Sequence, residues 1–377
     1  MTLNREMPVE VITTPDRLKG LVTEMLSAEV ISVDTESNSR HVYPEQLCLV
    51  QIAAGNGIYI LDTIKINDIS ALGPILDNPA QVKVIHDASY DVRCMDRHQG
   101  LHFSGIFDTS VAARFLGITQ ISLGAIIENT VGKKIPKSTR MQQSDWGKRP
   151  LTTEALAYAA DDVRYLAQIR EILEKRLKTI GRLEWVMEEF GRLEQVRYVP
   201  PDKENAFRFV KGARYLDGRS LAILKSLHSF REEAAIREHR PPYFILPDET
   251  MVNLASNPGQ SLSNVFGLSE FRKRTMGRGL LEAISEGESG SPIEIIPQNS
   301  FERPTNQQID RLNRLKNWRI ELGTKLNLDP SLCWPREGLE AIAKDPGELE
   351  AALNSEVVRQ WQREEFGSTL RNYVRAF

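Results

Sequence analysis

Cysteine is scarce. Cys48, Cys94 and Cys333 are the only three in 377 residues, too few and too far apart for a disulfide framework. No CxxC pair exists, so a structural zinc site is not expected. Sparse thiols fit a reducing compartment, and the expected location is the cytoplasm. Long apolar runs are missing too: none approaches the roughly 18–20 residues of a membrane span. The first twenty residues, MTLNREMPVEVITTPDRLKG, have no apolar core behind a basic head, so no secretory signal is expected. Neither charge sign dominates: 48 Lys and Arg against 51 Asp and Glu leave a net charge of −3. That balance gives no global sign of a nucleic-acid partner and does not exclude one, because binding depends on local patches. There is no Gly-rich phosphate loop and no GxSxG elbow. What is present is an ordinary globular mix, 41% hydrophobic and 26% charged, in a chain long enough for two or three domains.

The first half reads as α/β. VEVIT (9–13) alternates like a strand. Thr14 followed by Pro15 marks a helix start, a hydroxyl cap with proline at the first turn. EVISVDTE (29–36), QLCLVQIA (46–53), GIYILD (57–62) and VKVIHD (82–87) follow as strands. Asn56-Gly57 suggests a type I′ hairpin turn. Hairpins followed by strand–helix alternation predict a mixed sheet with helices on its faces. From Thr152 a run without Pro or Gly predicts one helix to about Lys178, ahead of Gly181. Linkers are expected near YVPPDKEN (198–205) and across 285–306, and the tail from about 305 is helical again. The two later blocks repeat. LHSFREEA (227–234) aligns with LKNWRIEL (315–322) at an offset of 88, as does ILPDETMVNLA with CWPREGLEAIA, and Pro258 with Pro346. A constant offset points to duplication of one small helical module.

Three stretches place acids where they need explaining. Asp34 and Glu36 end the strand VISVDTE, and residues two apart share one face. Two carboxylates that close repel unless a proton or cation neutralises them. The plain alternative is a strand end fading into solvent. Asp91 in VIHDASYDVRCM falls in a helix's first turn, where an acid suits the positive helix end. Capping is the alternative there, with Asp87 or Ser89 able to serve. In YAADDVRYL, Tyr158 and Asp162 are four apart and share a helix face. Asp161 lies on the stripe of Glu154, Arg164, Gln168 and Glu171 that faces solvent, whereas Asp162 lies with Tyr158, Tyr165 and Ile169. A carboxylate on an inward face needs a hydrogen-bond partner, a cation or a metal. Oxygen-only donors without His or Cys suit Mg²⁺ or Mn²⁺.

In these motifs, segment 30–170 resembles the ribonuclease D branch of the DEDD 3′–5′ exonucleases. VDTE with LCLVQIA is similar to the first motif, VIHDASYDVRCM with FDTSVAARFLG to the second, and QSDWGKRPLTTEALAYAADDVRYL to the third. A tyrosine four before the last aspartate resembles the DEDDy subclass. The helical modules are similar to HRDC domains, the first copy more clearly. The resemblance implies an α/β ribonuclease H-like exonuclease domain over 1–200, an HRDC domain over 205–287 and a divergent second one over 305–377. It implies two divalent ions, Mg²⁺ or Mn²⁺. Asp34, Glu36 and Asp162 would hold one, Asp34 would bridge to the other and Asp91 would support it, with Tyr158 orienting water. The implied reaction hydrolyses single-stranded RNA 3′ ends to nucleoside 5′-monophosphates, with tRNA precursors as the expected substrate. No obligate protein partner and no membrane are implied. Family members often carry a small residue such as Gly where Asp87 stands; a structural role is expected for Asp87.

Further residues are candidates for holding nucleic acid. Gln46 lines the strand beside the first motif, and His86 ends the strand before the second. Phe271-Arg272-Lys273-Arg274 interleaves an aromatic with cations, a pattern that can track a phosphate backbone. Solvated helix charge is the plain alternative. Trp146, Trp318 and Trp361 are expected in the core, and Asp108 as a helix cap. The alternatives to an exoribonuclease are a DNA 3′–5′ exonuclease, since the same chemistry cuts both polymers, and a catalytically inactive nucleic-acid-binding adaptor.

Overall fold

The computed structural model describes residues 7–136, 138–295 and 304–376. Six strands form one mixed sheet: β1 (Val9–Ile12), β2 (Val30–Ser37), β3 (Leu47–Ala54), β4 (Gly57–Asp62), β5 (Val82–Ile85) and β6 (Ile106–Asp108), in the order β1-β4-β3-β2-β5-β6. The β2–β3–β4 meander is antiparallel, and β1, β5 and β6 pair parallel to their neighbours. This is the mixed sheet the hairpin signals predict. β3 is buried from Leu47 to Ala53 because apolar clusters cover both of its faces. The β3–β4 turn differs from expectation. Ala54 pairs with Gly57, so the loop residues are Gly55 and Asn56, and only Gly55 has positive φ. A single positive φ at the first loop position is the type II′ pattern, not I′.

Helix α1 (Pro15–Met25) starts as expected, with the Thr14 hydroxyl accepting from the Arg17 N–H. Helix α2 (Ser89–Gln99) follows β5, and α3 (Thr109–Phe115) follows β6. The helix predicted from Thr152 to Lys178 is two segments, α4 (Thr153–Arg164) and α5 (Leu166–Thr179), meeting at Tyr165. The break lets α4 lie on β2, β3 and β4 while α5 packs on α3 and β5. Gly181, at φ +69°, ends the run. Helix α6 (Leu183–Glu194) completes the first region.

The rest is helical. The first module contains α7 (Gly218–Glu238), α8 (Pro242–Ile245), α9 (Asp248–Ser256) and α10 (Glu270–Ser289). The second contains α11 (Asn306–Leu326), α12 (Pro330–Cys333), α13 (Arg336–Lys344), α14 (Leu349–Leu353) and α15 (Gln360–Val374). The first three helices of each copy coincide at a shift of 88 residues. So do the left-handed residues that close α7 and α11, His239 at φ +51° and Asn327 at +50°. Buried Arg231 donates to the Leu246 carbonyl, and Arg319 donates to that of Trp334. The last helices, α10 and α15, correspond at a shift of 90, which superposes their buried Met276, Gly277, Leu280 and Ile284 on Phe366, Gly367, Leu370 and Val374. A two-residue insertion between α13 and α15 therefore interrupts the repeat. Helix α10 also runs five residues into the stretch read as linker from 285. Gly287 is needed there: a Cβ would lie 2.4 Å from Ile223 Cα of α7, so it marks a helix contact and not a loop.

Candidate active site

β2 and α4 bring the acids together. The i, i+2 spacing aims Asp34 and Glu36 from one sheet face, and α4 lies over that face with Asp162 pointing down. Asp34, Glu36 and Asp162 each offer a carboxylate oxygen within 4.8 Å of the others. Asp161 turns away, paired to Arg164 at 2.7 Å. Asp91, in the first turn of α2, stands outside that trio but beside it, buried and accepting from the Thr35 hydroxyl at 2.5 Å.

All four carboxyls are held above their ordinary range. Burial is the first cause for each. Mutual repulsion follows: Asp162 acts on Asp34, and Asp34, Asp162 and Asp91 act on Glu36. Asp162 is pushed up to about 7, with a bond from the Tyr158 hydroxyl opposing the rise. Tyr158 is itself raised by burial and by the same acids. Among the described residues, no Lys or Arg figures among the groups acting on the four. Hard oxygen donors at this spacing, short of positive charge, fit divalent cations of the Mg²⁺ or Mn²⁺ kind. Gln51, across the ladder from Asp34, is fully buried with neither amide atom bonded to protein.

The remaining candidates fall elsewhere. Gln46 is tied to Asn38, accepting from its amide at 3.0 Å and donating its own N–H at 2.8 Å. His86 bonds Thr109 at 2.8 Å, on the side of Asp108. Arg272 is paired with Glu238 and Lys273 with Glu270, while Arg274 is exposed. Asp108 caps its own helix and also accepts from the backbone N–H groups of Asp87 and Ala88. Helix α2 itself has no side-chain cap, so neither Asp87 nor Ser89 serves as one, and Asp108 instead ties down the two residues before it. Asp87 sits at φ +60°, a backbone that suits the glycine often found there. Arg149 clamps buried Asp62 through two bonds of 2.7 Å and is structural.

Two supporting residues escape the sequence reading. Thr35 lies inside the first motif on the opposite sheet face, and its hydroxyl seats Asp91. Period-two alternation marks its direction but not its partner, which is 56 residues away. Gln142 stands near enough to Tyr158 to ease the rise of its phenol, and nothing in its local sequence distinguishes it from Gln143.

Residues 9–178 match the family model for 3′–5′ exonuclease domains, and residues 220–284 that for HRDC domains. The ribonuclease D of Gluconacetobacter diazotrophicus is 32% identical over 366 residues, covering 94% of this chain and 90% of that one. The chain belongs to the ribonuclease D family. The ribonuclease D of Desulfotalea psychrophila is 29% identical, covering 88% of this chain and 90% of the relative. Escherichia coli RNase D, an exoribonuclease involved in structured RNA processing, shares the fold, with a TM-score of 0.73 at 24% identity over 98% of this chain and 99% of that one. The catalytic core of RRP6 from Trypanosoma brucei has a TM-score of 0.66 at 25% identity, covering 76% of this chain and 81% of its own. As a ribonuclease D family member, the chain carries a 3′–5′ exonuclease domain followed by an HRDC domain. Among the described residues no helix is long and apolar enough to cross a membrane.

Proposed function

We propose that this protein is a metal-dependent 3′–5′ exoribonuclease that trims RNA 3′ ends, with tRNA precursors as its natural substrate. The observation that carries the reading is three carboxylates within 4.8 Å of one another, each raised by burial and by neighbouring charge of its own sign. Asp34, Glu36 and Asp162 would hold a divalent ion, with Asp91 supporting a second beside Asp34. Such ions, Mg²⁺ or Mn²⁺, supply an activated water and charge stabilisation for the leaving oxygen. In the hydrolysis, water oxygen bonds to phosphorus, the bond from phosphorus to the 3′ oxygen breaks, and that oxygen takes a proton, releasing a nucleoside 5′-monophosphate.

The chain's own groups then have distinct tasks. The Tyr158 phenol stays protonated at neutral pH because burial and nearby acids raise it. It is therefore a hydrogen-bond positioner and not a base. Trp146, its ring centroid 6.0 Å away, packs beside it. Thr35 holds Asp91 to the trio's edge. We also read 205–287 and 305–377 as two copies of the HRDC module, supported by the matching helices and by Arg231 and Arg319.

The test is product analysis on 3′-labelled RNA with matched DNA. Wild type should release nucleoside 5′-monophosphates only with a divalent ion, and faster from RNA. Asp162→Asn and Asp91→Ala should each remove several kcal/mol of transition-state stabilisation, about a thousandfold in rate. Near-normal rates in either variant would overturn the site. Equal or faster DNA cleavage would overturn the substrate. tRNA precursors should be trimmed in preference to unstructured RNA, and equal rates would overturn that choice.

A further inference from the structure

The duplicated module provides an internal comparison for its own surface. In the second copy the start of α15 is a docking face. Trp361 stacks on Trp185 of α6, centroids 4.7 Å apart and planes at 15°. The backbone N–H groups of Gln360 and Trp361 donate to the Glu188 carboxylate at 2.8 and 3.1 Å. Glu356 accepts from Arg192 through its carbonyl. One flat ring and one anion are thus held together at a helix N-terminus.

At the shift of 90 that matches the two last helices, these positions become Phe266, Glu270 and Phe271 of the first copy. There the face is open. Phe271 is 60% exposed and Phe266 77%. Exposed Tyr243 and Phe244, ring centroids 4.5 Å apart, adjoin it, with the Phe244 carbonyl accepting from Arg272 and the Arg272 guanidinium over the Phe271 ring. The Tyr243 hydroxyl donates to the Arg40 carbonyl, four residues beyond Glu36. Arg40, Arg240 and Arg274 are exposed around this rim. The aromatic surface is therefore continuous with the loop that leaves the acid cluster.

We infer that the start of α10, with Phe271, Phe244 and Arg274, is a stacking platform for single-stranded RNA upstream of the 3′ end held at the acids. A base takes the place that Trp185 has in the second copy, and a phosphate that of Glu188. This rests on the exoribonuclease reading. An acidic helix resembling α6 is the competing occupant, but exposed arginines and continuity with the acid-cluster loop favour the nucleotide strand.

The test reads binding apart from hydrolysis, using the full chain in EDTA with a fluorescent RNA long enough to reach α10 and with a trinucleotide. Phe271→Ala should weaken the long RNA about tenfold, the loss of one stacked base, and Phe271→Trp should restore it. The trinucleotide should lose far less. Unchanged long-RNA binding, or an equal loss at both lengths, would overturn the platform. So would a peptide copying Leu183–Glu194 that binds wild type but not Phe271→Ala while RNA binding is unmoved. If wild type releases mononucleotides and Phe271→Ala is neutral, only the platform fails. If RNA binds through Phe271 but no nucleotide is released with metal, only the exonuclease reading fails.

Discussion

Residues 218–289 and 306–374 share four corresponding helices, yet they are joined to the rest of the chain in different ways. The second copy has no separate interior: Trp318, Trp334, Trp361 and Phe366 lie in one apolar cluster with Phe107, Leu173, Trp185 and Phe190 of the nuclease. Arg182 reinforces the seam by donating to the Phe115 and Leu326 carbonyls, and Arg359 by pairing with Glu189. The first copy has its own core, to which Tyr43 alone contributes from before residue 200 among the described residues. The difference teaches that a duplicated fold does not dictate a duplicated role. The aromatic at one helix start is a buried joint in one copy and an open ring in the other. Separate cores also imply separate cooperative units: the nuclease with the second module as one, the first module as another.

The sharpest test is the aromatic pair itself. Trp361→Ala removes a ring buried against Trp185, Phe115 and Phe366, and should destabilise the shared unit by ~3–5 kcal/mol in a urea titration. Phe271→Ala should change stability by no more than ~0.5 kcal/mol, because its ring faces solvent. Comparable losses from both would break the comparison.

The acids belong to the shared unit, so pH and metal should act there. Asp162 has a folded pKa of about 7 against an ordinary 3.8. The folded state keeps a proton that the unfolded state gives up. Metal-free stability therefore falls as pH climbs through that window and stays low above it. Asp162→Asn removes the penalty and should raise the metal-free shared transition at about pH 8 by ~1–3 kcal/mol while abolishing hydrolysis. Mn²⁺ should raise the same transition in wild type and leave the first module's unmoved. A metal shift in the first module's transition would contradict the division.

The repeated arginines divide the copies next. Arg231 is buried and also pairs with Asp248 at 2.7 Å, whereas Arg319 has the carbonyl bond and, among the described residues, no ion pair, with Asp329 acting on it at longer range. Arg231→Met should cost ~1–3 kcal/mol in the first module's transition by stranding the Leu246 carbonyl and removing the pair with Asp248, which keeps the Lys211 N–H and solvent. Arg319→Met should cost ~0.5–1.5 kcal/mol in the shared one.

Local chemistry was legible wherever one stretch of chain decides the outcome. Thr14-Pro15 starts α1, period two puts Asp34 and Glu36 on one face, and helical periodicity separates Asp162 from Asp161. The constant offset carries through three helices of the repeat. What was hidden depends on distant partners. The bend at Tyr165 follows the sheet that α4 covers, Gly287 answers to Ile223, and Asp108 holds the Ala88 N–H ahead of α2 from 20 residues away. Arg272 and Lys273 read as a phosphate track, but Glu238 and Glu270 hold them. The insertion before α15 conceals that Trp361 answers to Phe271, so the docking face emerges only when buried positions are matched in space.

A small effect should come from the contact between the first module and the nuclease. The Tyr43 hydroxyl donates to Glu232 at 2.6 Å, and burial followed by that carboxylate pushes the phenol up to about 12, so it remains a neutral donor. Tyr43→Phe deletes this bond and keeps the ring packed against the first module's core. The expected cost is ~0.5–1.5 kcal/mol, read in the first module's transition with the shared transition unmoved. Glu232 also lies near His228 and Arg231, so the carboxylate keeps partners after the hydroxyl is gone, which places the cost toward the lower end. If Tyr43→Phe instead lowered both transitions together by several kcal/mol, the first module would be as firmly joined to the nuclease as the second. Phe271 would then belong to a rigid wall beside the acids and not to a separately folded unit.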